Sequence, residues 1–176
     1  MESKEAHQFA HNYIKFMSAH RSKTKKEIEL HFIFLKEDNN QISCCLAEPP
    51  DPHESWDSLA RTTTREILIK DVAESLPNYI MTCSEAWTVE PKDELELGAV
   101  LAFRRSHPSA SLSDYPGSKE VINILLEGQD MNRFYTTPVN GSSINVQDID
   151  DSVEIGMLQG IFKEGYELAF EGAIHE

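Results

Sequence analysis

Cysteine is scarce in this sequence. The 176 residues include three, Cys44, Cys45 and Cys83, an odd number without the C-x-x-C spacing of zinc and redox sites. Small secreted proteins compensate for a small core with a dense disulfide framework, and this composition excludes one. We therefore expect a protein of the reducing cytoplasm.

Long apolar runs are also missing. No stretch approaches the roughly 20 apolar residues that a membrane-spanning helix needs. Polar residues repeatedly interrupt the apolar positions of the first 30 residues, so the continuous apolar segment of a signal peptide is absent there. The sequence therefore predicts no membrane partner.

Basic residues are outnumbered. Lys and Arg total 16 against 30 Asp and Glu, and the net charge is −14. Binding to a phosphate backbone depends on a basic face, so we expect no nucleic-acid partner. The charge is uneven, because residues 1–36 carry +3 and the other 140 carry −17. The basic cluster at 21–26 fits the end of a first helix, where cations complement the helix dipole; a nucleic-acid contact is the alternative.

The composition is that of a globular chain, with 40% hydrophobic and 26% charged residues. Hydrophobic periodicity predicts one α+β domain over residues 1–176, with a mainly antiparallel sheet, helices on one face and the order α-β-β-α-β-β-β-α. The predicted helices are 4–21, 55–76 and 152–172, and the predicted strands are 27–36, 41–47, 78–90, 120–127 and 133–139. Residues 98–118 are predicted to form a long loop or insertion, with a short strand at 98–103 as the alternative.

The strand at 78–90 contains the first candidate for chemistry. Alternation places Glu85 on the same face as Cys83 and Trp87. If this face is buried, the pKa of Glu85 is expected to be raised and its carboxylate needs a partner. Glu85 is therefore a candidate catalytic acid, and a structural hydrogen bond to an indole or a backbone amide is the alternative. Cys83 has no neighbouring His to act as a base and fits a small buried hydrophobe.

The predicted loop contains the second candidate. Arg104, Arg105 and His107 are side chains that can clamp a carboxylate or phosphate. Together with Trp87 and Lys119 they form the predicted ligand-binding set, and His107 is also a catalytic candidate. Pairing of these cations with nearby acidic residues is the alternative.

The first helix contains two imidazoles one turn apart, His7 and His11, which is the spacing of a zinc pair. The hydrolases that use this pair need a Glu next to the first His, because its carboxylate activates the water. Gln8 stands there instead. The sequence therefore predicts no metal site and no cofactor.

Two segments together resemble a known family. One is the strand motif Ser84-Glu85-Ala86-Trp87, and the other is 116–122, which reads Pro-Gly-Ser-Lys-Glu-Val-Ile. The chain resembles a family of small uncharacterised bacterial and phage proteins with a Ser-Glu-Ala-Trp strand, and differs by an insertion at 98–107 and an extension beyond Val139. The resemblance implies a shared order of elements but no activity. It also implies that two strands lie side by side at Ser84, Glu85, Trp87, Lys119 and Glu120.

These observations favour a small acidic accessory protein that binds a protein partner or itself. The apolar last helix supports this, because the spacing of Gly156 and Gly160 allows another backbone to approach closely. The first alternative is an enzyme or a binding domain for an anionic small molecule, using Glu85, Arg104, Arg105 and His107. The second is an inhibitor that mimics nucleic acid with the acidic residues Glu94, Glu96, Asp148, Asp150, Asp151 and Glu154.

Overall fold

The computed structural model describes residues 1–38, 41–47, 58–107, 112–150 and 158–174. In chain order the elements are α1 (Ser3–Thr24), β1 (His31–Asp38), β2 (Gln41–Ala47), α2 (Ser58–Ser75), β3 (Tyr79–Thr88), α3 (Glu94–Ser106), a 3₁₀ turn (Leu112–Asp114), β4 (Lys119–Gly128), β5 (Asn132–Pro138), β6 (Asn145–Asp148) and α4 (Ile161–Ile174). Among these described helices, none combines the length and the apolar character needed to cross a bilayer.

Six strands form one sheet in the order β2-β1-β3-β4-β5-β6, and every neighbouring pair is antiparallel. The predicted α+β class with a mainly antiparallel sheet is confirmed. The strands β1, β3, β4 and β5 lie inside the sheet, and α2 connects β2 to β3. The observed order adds α3 and β6 to the predicted elements.

Helices cover both faces of the sheet, so the expectation of helices on one face is wrong. Helix α1 packs against the face that includes Met81 and Ile124, whereas α2 and α4 pack against the face that includes Phe34 and Ile80. The physical reason lies in β1, where the four consecutive apolar residues 32–35 are all buried. Such a strand needs apolar cover on both sides.

A helix replaces the first part, 98–106, of the loop predicted over 98–118, and with it the alternative short strand at 98–103; residues 108–111 lie outside the described part of the chain. Helix α3 begins after Asp93, whose side chain accepts a hydrogen bond of 2.8 Å from the backbone N–H of Glu96. Arg104 and Arg105 lie in its last turn, where cations stabilise the negative end of the helix dipole. The acidic residues before Gly98 are therefore the start of this helix.

The last helix begins later than predicted. It starts at Ile161 rather than at 152, and residues 151–157 lie outside the described part of the chain. Gly165 lies against α2, because a Cβ at this position would be 2.4 Å from Cγ1 of Val72. Gly165 thus permits a close contact within the molecule. Gly156 lies outside the described residues.

Candidate functional site

The two motif segments lie on neighbouring strands. In the β3–β4 pair, Trp87 is opposite Glu120 and Thr88 is opposite Lys119. The juxtaposition implied by the family resemblance is therefore present. It brings Glu85 and Glu120 to the same end of the sheet.

Glu85 is held by a network of hydrogen bonds. Its side chain is 2% exposed, and its Oε2 accepts from Nε of Arg21 at 3.0 Å and from the backbone N–H of Ile28 at 2.8 Å. Its Oε1 accepts from Nε and Nη2 of Arg21, both at 3.2 Å. The predicted backbone-amide partner is confirmed, while Arg21 was not foreseen as a partner. Both carboxylate oxygens of Glu85 therefore accept hydrogen bonds, and those from Arg21 connect the end of α1 to β3.

The network distributes charge unequally between two carboxyl groups. Burial would raise the pKa of Glu85, but hydrogen bonds from Arg21, Glu120 and the Ile28 amide outweigh burial and lower it. The pKa of Glu120 is raised, chiefly because its carboxyl group is hydrogen-bonded to Glu85. Glu85 is therefore the ionised partner, and Glu120 is the one that retains a proton more readily. The expectation of a raised pKa at Glu85 is wrong because it left out Arg21.

The predicted anion-binding residues lie on the surface. Arg104, Arg105 and His107 are exposed at the end of α3, and the His107 ring stacks on Phe103 at a centroid distance of 4.9 Å. The hydrogen bonds and ion pairs found for Glu85 lead to α1, β4 and the segment before β1, and within the described part of the chain none leads to these three residues.

The other members of the predicted ligand set also face solvent. Trp87 is 40% exposed at the end of β3, and Lys119 is exposed at the start of β4. Trp87 lies on the Glu85 face of β3 and is opposite Glu120, whereas Lys119 is opposite Thr88 and so belongs to the other face of the sheet. The structure thus brings Trp87, and not Lys119, to the face of Glu85.

Helix α3 exposes an apolar face. Its inward side is formed by Val100, which is buried, and by Phe103, whose ring meets Tyr115 edge to face at 5.3 Å. Toward the solvent, beside this inward side, Leu97 and Leu101 are each 44% exposed. We define the outer face of α3 as Glu94, Leu97, Gly98, Leu101 and Arg105.

The outer face has a defined pattern. Glu94, Gly98, Leu101 and Arg105 are spaced by four, three and four residues, so they share one side of the helix. A Cβ at Gly98 would meet nothing within 4 Å, which leaves the centre of this side open to a neighbouring surface. Its two ends carry opposite charges.

The sequence contains signals for this helix. Asp93 followed three residues later by Glu96 is typical of a helix start, and two arginines shortly before Pro108 are typical of a helix end. With this helix in place, the 4-3-4 spacing identifies its outer face. Of the two arginines interpreted as an anion clamp, Arg105 is the last member of this face, and both lie in the last turn of α3.

No cluster of three or more His, Cys, Asp or Glu side chains able to hold a metal ion occurs within the described part of the chain. His7, the first imidazole of the sequence pair, makes a 2.7 Å hydrogen bond through Nδ1 with the Tyr135 hydroxyl. This residue is therefore engaged in packing α1 on β5.

Fold and surface together define an α+β protein with a six-stranded antiparallel sheet and an exposed amphipathic helix in the connection between two inner strands. Comparison of the chain with protein-family models, with curated proteins and with solved structures yields no match. The family resemblance in the sequence therefore stays a prediction.

Proposed function

We propose that this chain is an acidic interaction protein of the cytoplasm that acts by self-association, with α3 as the contact element. The observation that carries the proposal is the outer face of α3. Its leucines Leu97 and Leu101 are each 44% exposed, and they lie between an acidic first turn and a basic last turn. Two copies of such a helix are complementary when they run antiparallel, because the acidic end of each copy then meets the basic end of the other and the leucines meet in between.

Two copies of α3 fit together when they run antiparallel about a two-fold axis. A two-fold contact repeats each interaction twice. With the axis between Ala99 and Val100, Glu94 of each copy is opposite Arg105 of the other, and Leu101 is opposite Gly98. The open space at Gly98 then accepts the leucine, as a hole accepts a knob in helix packing.

The energetics favour a reversible contact. Exposed ion pairs contribute about 0–1 kcal/mol each, so the leucines must supply most of the free energy of association. A contact through one 13-residue helix is smaller than the roughly 1,200–2,000 Å² that stable complexes bury. We therefore expect a dissociation constant of about 10–100 μM, equivalent to roughly 5.5–7 kcal/mol.

Sedimentation velocity over a concentration series tests the apolar part of the contact. Leu101→Ala is expected to raise the dissociation constant at least about tenfold, or about 1.4 kcal/mol. Leu168→Ala is the matched control, because Leu168 lies on α4 and is 43% exposed. Equal effects of the two substitutions, or a wild-type protein that stays monomeric at about 500 μM, would contradict the proposal.

A charge exchange tests the antiparallel register. Glu94→Arg and Arg105→Glu should each weaken association, because each places like charges opposite one another. The double variant restores opposite charges and should recover the wild-type dissociation constant. Failure of the double variant to recover, with both single variants impaired and with the helix content and thermal unfolding of the double variant equal to those of the wild type, would show that α3 does not meet itself in this register.

The two alternative functions have less support. Binding of an anionic molecule required Glu85 to act together with Arg104, Arg105 and His107, whereas the oxygens of Glu85 are engaged with Arg21 and Ile28. Mimicry of nucleic acid required a continuous acidic surface. The acidic residues named for it that the structure describes belong to α3 and to the segment around β6, which are separated in the chain by β4 and β5.

A further inference from the structure

A cleft of about 660 Å³ lies between α4 and the turn that joins β4 to β5. One of its walls is aromatic and is formed by Phe162, Tyr166 and Phe170. The Phe162 and Tyr166 rings stack at 4.5 Å, and the Tyr166 hydroxyl donates a 2.6 Å hydrogen bond to the carbonyl of Pro77. The wall is therefore fixed in place. A cleft of this size is suited to a small organic molecule.

A buried carboxyl group lies in the lining of this cleft. Glu127, near the end of β4, is 4% exposed, and its Oε2 accepts a 2.7 Å hydrogen bond from the backbone N–H of Gly160. Its Oε1 is buried and has no hydrogen-bond partner among the described residues. A buried polar atom without a hydrogen-bond partner lowers the stability of a fold by about 1–3 kcal/mol. A ligand that partners the Glu127 carboxyl group would therefore be stabilised in this cleft.

The charges in the lining are mostly negative. Glu127, Glu167 and Glu171 are carboxyl groups, and Lys163 is the single basic residue in the described lining. Arg65, the nearby cation on α2, donates to the carbonyl of Gln159 and to the carboxylate of Glu164. A carboxylate or phosphate ligand would meet repulsion here, whereas a cation would be attracted.

From these features we propose that the cleft binds a small organic ammonium ion, carried on an apolar or aromatic body, whose positive charge pairs with the carboxyl group of Glu127 in the lining. The aromatic wall supplies cation–π contact and apolar cover for the body of the ligand. The ammonium group supplies a positive partner for a carboxyl group whose Oε1 has no hydrogen-bond partner among the described residues. This site is independent of the α3 contact and uses none of its residues.

The protonation behaviour of Glu127 agrees with this ligand class. Burial raises the pKa of its carboxyl group to about 7. The Gly160 amide and Arg65 act against burial, and Glu164 acts with it. A bound ammonium ion favours the ionised form, so binding should release a proton when it occurs below this pKa.

Titration calorimetry with three probes of similar shape tests the charge requirement. The probes are 2-phenylethylammonium, the neutral 2-phenylethanol and the anionic 3-phenylpropionate. We expect the ammonium to bind at least about tenfold more tightly than the alcohol, and the carboxylate not to bind at about 10 mM. Equal binding of ammonium and alcohol would overturn the proposal, as would the absence of ammonium binding at about 10 mM.

Matched substitutions test the site. Glu127→Gln keeps the size of the side chain and an oxygen for the Gly160 amide but loses the negative charge, and should weaken ammonium binding at least about tenfold. Glu66→Gln, at an exposed position of α2 outside the lining, makes the same change of charge and should leave binding unchanged. The proposal fails if the two variants bind alike.

A third variant, at an exposed position, separates a loss of binding from a loss of folding. Phe170 is 60% exposed, so Phe170→Ala should fold normally, and its thermal unfolding can be compared with that of the wild type. Loss of one wall of the cation–π contact is expected to weaken ammonium binding about three- to thirtyfold. Unchanged binding by a folded Phe170→Ala protein would place the ligand elsewhere.

Discussion

Glu127 makes the stability of the fold depend on pH in the neutral range. Its carboxyl group has a pKa of about 7 in the folded protein against 4.5 in the unfolded chain. Between these values the folded state holds a proton that the unfolded state has lost, so the free energy of unfolding falls as pH rises. The contribution is fully present below pH 4.5 and is lost through about pH 7. Its size is roughly 3 kcal/mol.

Urea unfolding of Glu127→Gln at pH 5 and pH 8 measures this contribution. The amide does not ionise, so we expect the variant to lack the Glu127 component and to lose roughly 3 kcal/mol less than the wild type over this interval. Glu66→Gln serves as the control for the removal of one acidic side chain. The assignment would be wrong if Glu127→Gln and Glu66→Gln showed the same dependence on pH.

The paired carboxyl groups Glu85 and Glu120 should respond oppositely to the same substitution. The pKa of Glu85 is lowered by its partners, so its ion pair stabilises the fold above the unfolded pKa and is lost as pH falls through the folded one. Glu85→Gln should therefore destabilise the protein at pH 7, by an amount that shrinks toward pH 3. The reason is that the variant leaves Arg21 without its main carboxylate.

Glu120→Gln is the matched control for this network. The pKa of Glu120 is raised by its hydrogen bond to Glu85, and a Gln amide can donate in place of the protonated carboxyl group. We expect this variant to be at least as stable as the wild type at pH 7 in thermal unfolding. A larger loss for Glu120→Gln than for Glu85→Gln would mean that the proton resides on the other carboxyl group.

At the scale of elements, two helix glycines have opposite roles. A Cβ at Gly165 would lie 2.4 Å from the Val72 side chain, and one at Gly98 would meet nothing within 4 Å. Gly165→Ala should therefore separate α4 from α2 and cost about 1–3 kcal/mol. Gly98→Ala should stabilise α3 by up to about 1 kcal/mol. Urea unfolding at low protein concentration, where the chain is monomeric, measures both effects.

The contact between α2 and α4 explains why the difference should be large. Val72 and Phe162 are buried in the apolar cluster that these helices form on the sheet. Packed cores do not accept an added methyl group without a shift of the backbone. Equal stability of the two alanine variants would show that α2 and α4 are not packed as closely as described.

Alternation is a local signal and predicted most strands closely. The predicted strand at 41–47 matches β2, and 120–127 matches β4 within one residue at each end, whereas the strand predicted at 27–36 begins four residues before β1. Burial along a strand is a tertiary property. Trp87 shares a face of β3 with the buried Cys83 but is 40% exposed, because it lies near the end of the strand. Its replacement by Ala should cost less than the 3–5 kcal/mol typical of a buried Trp.

The candidate sites show the same limit. The sequence identified Glu85 as an unusual carboxylate, but its partner Arg21 is 64 residues away in the chain and had been explained by the helix dipole alone. Glu127 gave no signal, because its importance comes from Gly160, which the fold brings to it. Periodicity identifies which face of an element a residue occupies. The group from another element that contacts this residue depends on how the elements are arranged in the fold.

At the scale of the whole molecule, charge is distributed between the basic end of α1 and the acidic remainder. Arg21 uses its charge inside the fold, in ion pairs with Glu85 and Glu120. The helix-dipole interpretation of the basic cluster at 21–26 agrees with the position of Arg21 and Lys23 in the last turn of α1, although it left out the ion pairs of Arg21. The net charge of −14 disfavours close approach of two copies at low salt. We therefore expect self-association to strengthen as salt screens this repulsion.

The α3 contact and the Glu127 cleft lie toward opposite ends of β4. The connection that contains α3 joins the sheet where Thr88 is opposite Lys119, whereas the cleft lies near the end where Tyr79 is opposite Gly128. Ten strand residues separate these ends, or about 30 Å. The inner part of the sheet lies between them and is covered by helices on both faces. A packed core of this kind transmits a structural change only if it has two alternative arrangements of similar free energy.

Self-association and ammonium binding should therefore be independent. Saturating 2-phenylethylammonium is expected to change the dissociation constant of the dimer by less than about twofold. Because coupling is reciprocal, Leu101→Ala should likewise bind the ammonium with wild-type affinity. Sedimentation with and without the ligand, and calorimetry on both proteins, measure the two sides of this relation. A matching shift of about tenfold in both, equivalent to 1.4 kcal/mol, would mean that the sheet links the two sites.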